Sequence, residues 1–317
     1  MDTVHIQTPG GSAEEIVDLA QVPSFPAVYT AALSPGRPRR RGRPVLPDTV
    51  LRVRGVHLDA ARARDFDHLM GGPATDLVHP GVLHVVAFPV ALSLMARRSF
   101  PFRLLGVVHL RNQLLQHRPV RVGETVDVQC RVRALAEHRK GWTFEAVATL
   151  HGQDGEIIAT DVSTYLAPED VEHTGTGGKT GEKKSSGSRR REFTPPEPTG
   201  RWRLPADTGR RYAAVSGDAN PIHLSALSAK AFGFPRAIAH GMYTASRALT
   251  ESRPDLTKPL RWDVSFDAPV TLPGTVLVAY EDTPAAAGRA TRCLGWRPGR
   301  DGKPPRRCFE VEVTALG

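Results

Sequence analysis

Apolar residues are laid out along this chain in two runs of the same order, divided by a stretch with almost none. Residues 81–96 are apolar on nearly every side, the profile of a helix surrounded by protein. Pro89 within them should kink that helix or mark its adjustment to an enclosing sheet. Ahead of it, residues 50–58 alternate apolar and polar like a half-buried strand, and residues 59–70 predict a short helix stopped by Gly71-Gly72-Pro73. Strand-like segments follow at 104–115, 124–136, 142–151 and 156–166, the last two divided by the turn Gly152-Gln153-Asp154-Gly155. Residues 169–194 hold Gly, Ser, Thr, Lys, Arg and Glu with little to bury, the composition of a disordered basic linker. The order then resumes. A strand at 202–204 precedes helices at 207–215 and 225–232, and a break at Phe234-Pro235-Arg236 leads to a longer helix at 240–252. Strands at 260–268, 275–283, 290–296 and 306–315 close the chain.

Two local matches support a duplicated unit. Pro119-Val120-Arg121-Val122-Gly123-Glu124-Thr125-Val126 aligns with Pro269-Val270-Thr271-Leu272-Pro273-Gly274-Thr275-Val276, each after one strand and before the next. Gly81-Val82-Leu83-His84 aligns with Ala237-Ile238-Ala239-His240, each opening the main helix. The expected division is an N-terminal extension at 1–48, a first unit at 49–168, the linker at 169–194 and a second unit at 195–317. Within the extension, 16–22 suggests a short helix, 27–32 a strand, and the Pro/Arg/Gly-rich 37–47 a loop.

Composition narrows the setting. A chain of 317 residues suits two modest domains. Its three cysteines, Cys130, Cys293 and Cys308, form no CxxC pair, which argues against a disulfide framework or a zinc site and fits a reducing cytoplasm. The N-terminus lacks a basic segment followed by an apolar core, so no secretion signal is expected. The apolar run at 81–96 is too short for a membrane span and contains His84 and Pro89. The net charge of +9 comes largely from Arg37 to Arg43 and from Lys179, Lys183, Lys184, Arg189, Arg190 and Arg191. Without zinc-finger spacing or an RNP-like motif, solvated basic segments outweigh a nucleic-acid footprint. A basic surface also suits an anionic ligand such as coenzyme A or an acidic carrier protein.

The second run contains what the first lacks: Tyr212-Ala213-Ala214-Val215-Ser216-Gly217-Asp218-Ala219-Asn220-Pro221-Ile222-His223. Asp218 and His223 sit across a turn that Asn220-Pro221 favours. A carboxylate and an imidazole held together can share a water and move its protons. Asn220 can hold the carboxylate or the turn by side-chain hydrogen bonds. The same residues also satisfy ordinary turn chemistry, with His223 packed beside the next helix. His240-Gly241 opens the longer helix, where free N–H groups can receive developing negative charge and a glycine admits a ligand carbonyl. Tight helix–sheet packing would explain Gly241 equally well. Ser216 lacks a Gly-x-Ser-x-Gly setting, so no serine nucleophile is expected, and Tyr212 has the character of a core or rim aromatic. His79, His84, His109 and His117 lack metal-ligand spacing and are expected to pack or face solvent.

This motif, with Phe234-Pro235 and Ala239-His240-Gly241-Met242 after it, closely resembles the MaoC-like (R)-specific enoyl-thioester hydratase/dehydratase family, or hydratase 2. The first half, with His79-Pro80-Gly81-Val82-Leu83-His84 and its apolar helix, resembles the degenerate N-terminal domain of double-hot-dog members, especially actinobacterial 3-hydroxyacyl-thioester dehydratases. The resemblance implies an α+β double hot-dog, two repeats of a long helix wrapped by an antiparallel sheet. It implies reversible hydration of trans-2-enoyl thioesters to (3R)-hydroxyacyl thioesters on coenzyme A or an acyl-carrier protein, within fatty acid metabolism and without metal or cofactor. Asp218 and His223 would be the acid/base dyad and Gly241 the oxyanion N–H. Asn220, Ser216 and Tyr212 would support them, and His240 would line the substrate site. The motif-less half would help house the acyl chain. Ser225 departs from the family by replacing an acidic residue common two positions after the histidine, and the basic linker has no place in the family core. A thioesterase or a non-catalytic acyl-thioester-binding subunit is the alternative, and a homodimer is possible through exposed sheet edges.

Overall fold

The computed structural model of the chain describes residues 3–6, 14–33, 42–168, 193–285, 288–300 and 302–316. Almost all of the expected linker at 169–194 falls outside the described residues, as does the start of the 37–47 loop. Phe193, near the linker's end, packs its ring 6.2 Å from that of Trp296.

The first repeat holds β3 (Thr49–His57), α2 (Ala60–Met70), α3 (Pro80–Ala96), β4 (Val108–Gln116), β5 (Thr125–His138), β6 (Gly141–His151) and β7 (Ile157–Pro168). The second holds β8 (Gly200–Leu204), α4 (Thr208–Ser216), α5 (Pro221–Leu224), α6 (Ala226–Ala231), α7 (Gly241–Ser252), β9 (Leu260–Phe266), β10 (Gly274–Ala285), β11 (Gly288–Arg297) and β12 (Arg306–Ala315). α3 is the helix that the apolar run predicts: 14 of its 17 residues are buried, and it continues through Pro89. α2 starts where Asp59 caps it, its side chain accepting from the Arg62 N–H, and stops at Gly71 in the left-handed region at φ +86°.

Strand order establishes the duplication without recourse to sequence. The first repeat runs β3-β5-β6-β7-β4 and the second, read from its outer edge, runs β8-β10-β11-β12-β9. Each is therefore first, third, fourth, fifth and second strand of its unit. The two join where β4 pairs antiparallel with β9, Arg111 opposite Ser265 through Gln116 opposite Leu260, giving one continuous sheet. This is the expected double hot-dog in the α+β class. Equivalent bonds also fix the alignment of the repeats. The Val78 N–H donates to the Val120 carbonyl as the Ala239 N–H does to Val270, and Val122 to Asp76 as Leu272 to Ala237. These confirm the Pro119/Pro269 match. They overturn the Gly81–His84 match to Ala237–His240, because the residue equivalent to His240 is His79. Both are N-caps, at φ −60° and ψ 132° for His79 and at φ −60° and ψ 136° for His240.

The extension departs from expectation. Its first strand, β1 (Thr3–Ile6), pairs with β2 (Glu14–Leu19), which occupies most of the span read as a helix. β2 lies parallel to β3, Ile16 opposite Val50, because β3 would otherwise leave an open edge. The span read as a strand is helix α1 (Phe25–Leu33). Phe25, Val28, Tyr29 and Ala32 pack on the core, a spacing of three, four and seven that marks a helical face. Parallel neighbours require a crossover connection, so β2-α1-β3 is a βαβ unit with α1 as its crossover. α1 rests on α3, with the Phe25 and Phe88 rings 5.7 Å apart.

α3 and α7 meet closely. A Cβ on Gly81 would lie 2.6 Å from Ser246 Oγ and 2.7 Å from the Phe66 ring, so only glycine fits there. Phe66 on α2 is fully buried, 5.1 Å from the His79 ring in its own half and 6.1 Å from Tyr212 in the other. Phe66→Ala is expected to cost about 3–5 kcal/mol of stability, seen as a lower urea midpoint at unchanged slope. A loss below about 1 kcal/mol would show that the halves do not depend on this wedge.

Candidate functional site

α4 ends where Gly217 takes up φ +81°, a left-handed conformation that a side chain would strain. The chain turns there and delivers Asp218. Ser216 Oγ donates to the Tyr212 carbonyl at 2.8 Å and accepts the Asp218 N–H at 3.1 Å, locking the turn. Asp218 Oδ1 accepts the Asn220 N–H at 3.2 Å, and Asn220 Oδ1 accepts from Ile222 N–H at 3.3 Å as the cap of α5. Pro221 at the first position of α5 suits that cap. α5 then presents His223. A Cβ on Gly209 would fall 1.9 Å from the His223 carbonyl oxygen, so Gly209 is what lets α4 lie against α5.

His223 donates from Nδ1 to the Ile238 carbonyl at 2.8 Å. A carbonyl can only accept, so Nδ1 carries the proton, and the neutral ring keeps its lone pair on Nε2. Burial, then the neighbouring His240, pushes the His223 pKa down to about 3 against the opposing pull of Asp218. His240 donates from Nε2 to the Asp218 backbone carbonyl at 3.0 Å, and its Nδ1 is buried without a partner among the described residues. The His223 and His240 rings stack at 3.7 Å. Asp218 is 13 % exposed, and burial pushes its carboxyl upward, opposed first by His223. Both members of the pair therefore lean toward their uncharged forms.

The structure brings together all of the sequence-predicted site residues. Asp218, His223 and His240 have donor atoms within 4.8 Å of one another, a spacing that would also admit a metal ion, although His240 Nε2 is committed to a carbonyl. Gly241 is the first residue of α7, where a backbone N–H has no acceptor within the helix. A Cβ there would meet the Phe266 ring at 2.8 Å. Tyr212 is buried as a wall, its ring 4.7 Å from His240 and 5.9 Å from Tyr243. Ser225 caps α6 by accepting the Ser228 N–H at 3.0 Å.

Other contributions come from residues that sequence reasoning passed over. Tyr29 of α1 donates to Asp218 Oδ1 at 3.1 Å. His84, expected to be ordinary packing, is hydrogen-bonded through Nδ1 with Asp161 Oδ2 at 2.6 Å, both nearly fully buried. Asn112 Nδ2 donates to Asp161 Oδ1 at 2.5 Å, and Ser163 Oγ donates to Asn112 Oδ1 at 3.1 Å. Beside them Ala87, Ala91, Ala146 and Ala148 leave a cavity of about 10 Å³ against His84 and Asp161, room for about one water. No spacing rule marks these residues, because four separate elements carry them. The first half also lacks more than the dyad. Its equivalent of Gly241 is Pro80, which has no N–H to offer. His79 instead accepts the Gly81 N–H at Nδ1 and meets Thr250 Oγ1 at Nε2.

Residues 184–294 match the family described as MaoC like domain. The chain is 33% identical over 233 residues to 3-hydroxyacyl-thioester dehydratase X of Mycobacterium tuberculosis, covering 73% of this chain and 79% of that protein. Its structure is similar to the crystal structure of HtdX of M. tuberculosis, with a TM-score of 0.68, 27% identity, and 84% and 100% of the two chains covered. A MaoC-like dehydratase from Phytophthora capsici shares the fold at 16% identity, with a TM-score of 0.63 and 86% and 96% coverage.

Burial holds His79, His109, His223 and His240 neutral, each with its pKa lowered to about 3. In an ¹⁵N-histidine NMR titration of the folded protein, all four should stay neutral from pH 7 to about pH 5, with His223 as the Nδ1–H tautomer. A midpoint near the ordinary value of about 6.5 for His223 would contradict that account.

Proposed function

The chain belongs to the MaoC-like 3-hydroxyacyl-thioester dehydratase family, and on that footing we propose that it reversibly removes water from (3R)-hydroxyacyl thioesters in fatty acid metabolism. The observation that carries this reading is the cluster of Asp218, His223 and His240 at the N-terminus of α7.

The chemistry asks for a base at C2, an acid at the C3 hydroxyl and a donor at the thioester carbonyl. His223 Nε2, unprotonated in the neutral ring, takes the C2 proton. The electron pair left behind moves onto the carbonyl oxygen as an enolate, which accepts from the Gly241 N–H at the positive end of α7. The pair returns to form the C2=C3 double bond as the C3–O bond breaks. The hydroxyl leaves as water with the proton from Asp218, whose upward-shifted carboxyl suits it to the acid's part. A proton passing from His223 back to Asp218 resets the site, and hydration runs the same steps in reverse. Asn220 and Ser216 hold the Asp218 turn, Tyr212 backs His240, and His240 stands beside the thioester.

Coenzyme A and acyl-carrier protein both present anionic thioester carriers, which a chain of net charge +9 suits. The three cysteines are buried free thiols, compatible with a cytoplasmic enzyme. Among the described residues no helix is long and apolar enough to cross a membrane. The first half, which lacks the dyad, is on this reading the side on which the acyl chain is housed. A homodimer would form through the sheet's outer edges.

Asp218→Asn and His223→Ala should each lower the rate on crotonyl- and longer enoyl-thioesters by about 10²- to 10⁴-fold. Near-normal rates in both variants would remove the dyad from the mechanism. Release of free thiol by the wild type would indicate a thioesterase instead, and binding without turnover a non-catalytic module.

Gly241→Pro copies the first half, keeping a helix start while deleting the N–H, and should cost about 10²- to 10³-fold in kcat. Gly241→Ala is the control for crowding against Phe266, since it keeps the donor. Equal losses in the two variants would assign the effect to crowding.

A further inference from the structure

Asp218 Oδ1 accepts two hydrogen bonds. One comes from the Asn220 N–H in its own turn, and the other from the Tyr29 hydroxyl at 3.1 Å, 189 residues away in the extension. Oδ2 is the oxygen left toward His240, whose Nε2 lies 3.7 Å from it. The two oxygens of one carboxyl are therefore made unlike. We propose that Tyr29 is a positioning residue for Asp218: its hydroxyl holds Oδ1 in place and leaves Oδ2 to carry the reacting proton. The N-terminal extension is then a part of the active site rather than an appendage. This rests on the reading of Asp218 as the acid.

Three features support it. First, α1 is fixed where it stands. It is the crossover of the β2-α1-β3 unit, Phe25 packs on Phe88, and a Cβ on Gly217 would touch the Phe25 ring at 3.2 Å. The residue next to Asp218 is thus in contact with the helix that carries Tyr29. Second, Tyr29 is always a donor. Burial, then the charge of Asp218, raises its pKa beyond any working pH. Third, the bond strengthens when it is needed. A hydroxyl bonded to a carboxylate is worth more than one bonded to a neutral acid, so Tyr29 favours the state reached once Asp218 has given up its proton.

Six titratable groups act on or border Asp218: Tyr29 from α1, His84 from α3, Tyr165 from β7, Tyr212 from α4, His223 from α5 and His240 at the cap of α7. Of these, Tyr29 and the two histidines His223 and His84 pull its pKa down against burial. Removing the Tyr29 hydroxyl raises the pKa further. The dyad titrates as a pair, active while it holds one proton, and Asp218 losing that proton sets the alkaline limb. That limb should therefore move to higher pH.

The test is Tyr29→Phe, which keeps the ring and deletes the hydroxyl. The expected result is a kcat lower by about ten- to a hundredfold with KM within about twofold, and an alkaline limb moved upward. ¹³C-carboxyl NMR of the resting protein should show the Asp218 titration midpoint raised in the same direction, independent of turnover. In an Asp218→Asn background, Tyr29→Phe should have no further effect on the residual rate, since the carboxyl it acts through is gone. Unchanged kcat, limb and Asp218 midpoint in Tyr29→Phe, with Asp218→Asn inactive, would overturn the role of Tyr29 and leave the dyad standing. An active Asp218→Asn would instead overturn the dyad.

Discussion

The pairing of β4 with β9 is the contact on which the rest of the molecule depends. Six residues of each strand join two five-stranded units into one sheet, and Gln113 Nε2 donates to Asp263 Oδ1 at 2.7 Å across the seam. With the sheet continuous, the two main helices face each other closely enough that Gly81 can bear no side chain against Ser246. His79 of one unit reaches Thr250 of the other, and Phe66 wedges between the halves. The site forms where these units meet, so its walls come from both.

The repeats share a backbone plan and differ in chemistry at a few positions. Where α7 begins with His240-Gly241, α3 begins with His79-Pro80. Proline is as good a helix start as glycine is a poor one, and it removes the N–H. Helix stability and an N–H left over for donation thus pull this position in opposite directions, and each half has settled on one side. The first half has put its buried polar residues to another use. His84, Asp161, Asn112 and Ser163 satisfy one another in a network that sits beside the site without the turn that defines it.

Much of this was legible in the sequence, for identifiable reasons. An unbroken apolar run gave α3, patterned apolar positions gave α7 and the strands of both repeats, and the Asp218–His223 motif is local, so a turn and a helix cap place it without distant help. The errors lie in the extension and in the alignment of the repeats. β2 is a strand because β3 offers an edge, a tertiary cause with no local signal. α1 did have one, in the face formed by Phe25, Val28, Tyr29 and Ala32, but its short span permitted a strand reading as well. His84 was matched with His240 by the letters around it, whereas hydrogen bonds pair His240 with His79. Tyr29 and Asp161 act through contacts between elements far apart in the chain, and no window along the sequence contains both partners.

The parallel β2–β3 pair has a consequence in the order of synthesis. A ribosome makes the chain from its N-terminus, so α1 and Tyr29 emerge before Asp218, 189 residues later. The edge strand and its crossover helix can dock on the first repeat while the second is still missing. Through that interval the tyrosine waits over a surface that lacks its partner. Where the extension docks first, the second repeat arrives beneath a cover that is already in place.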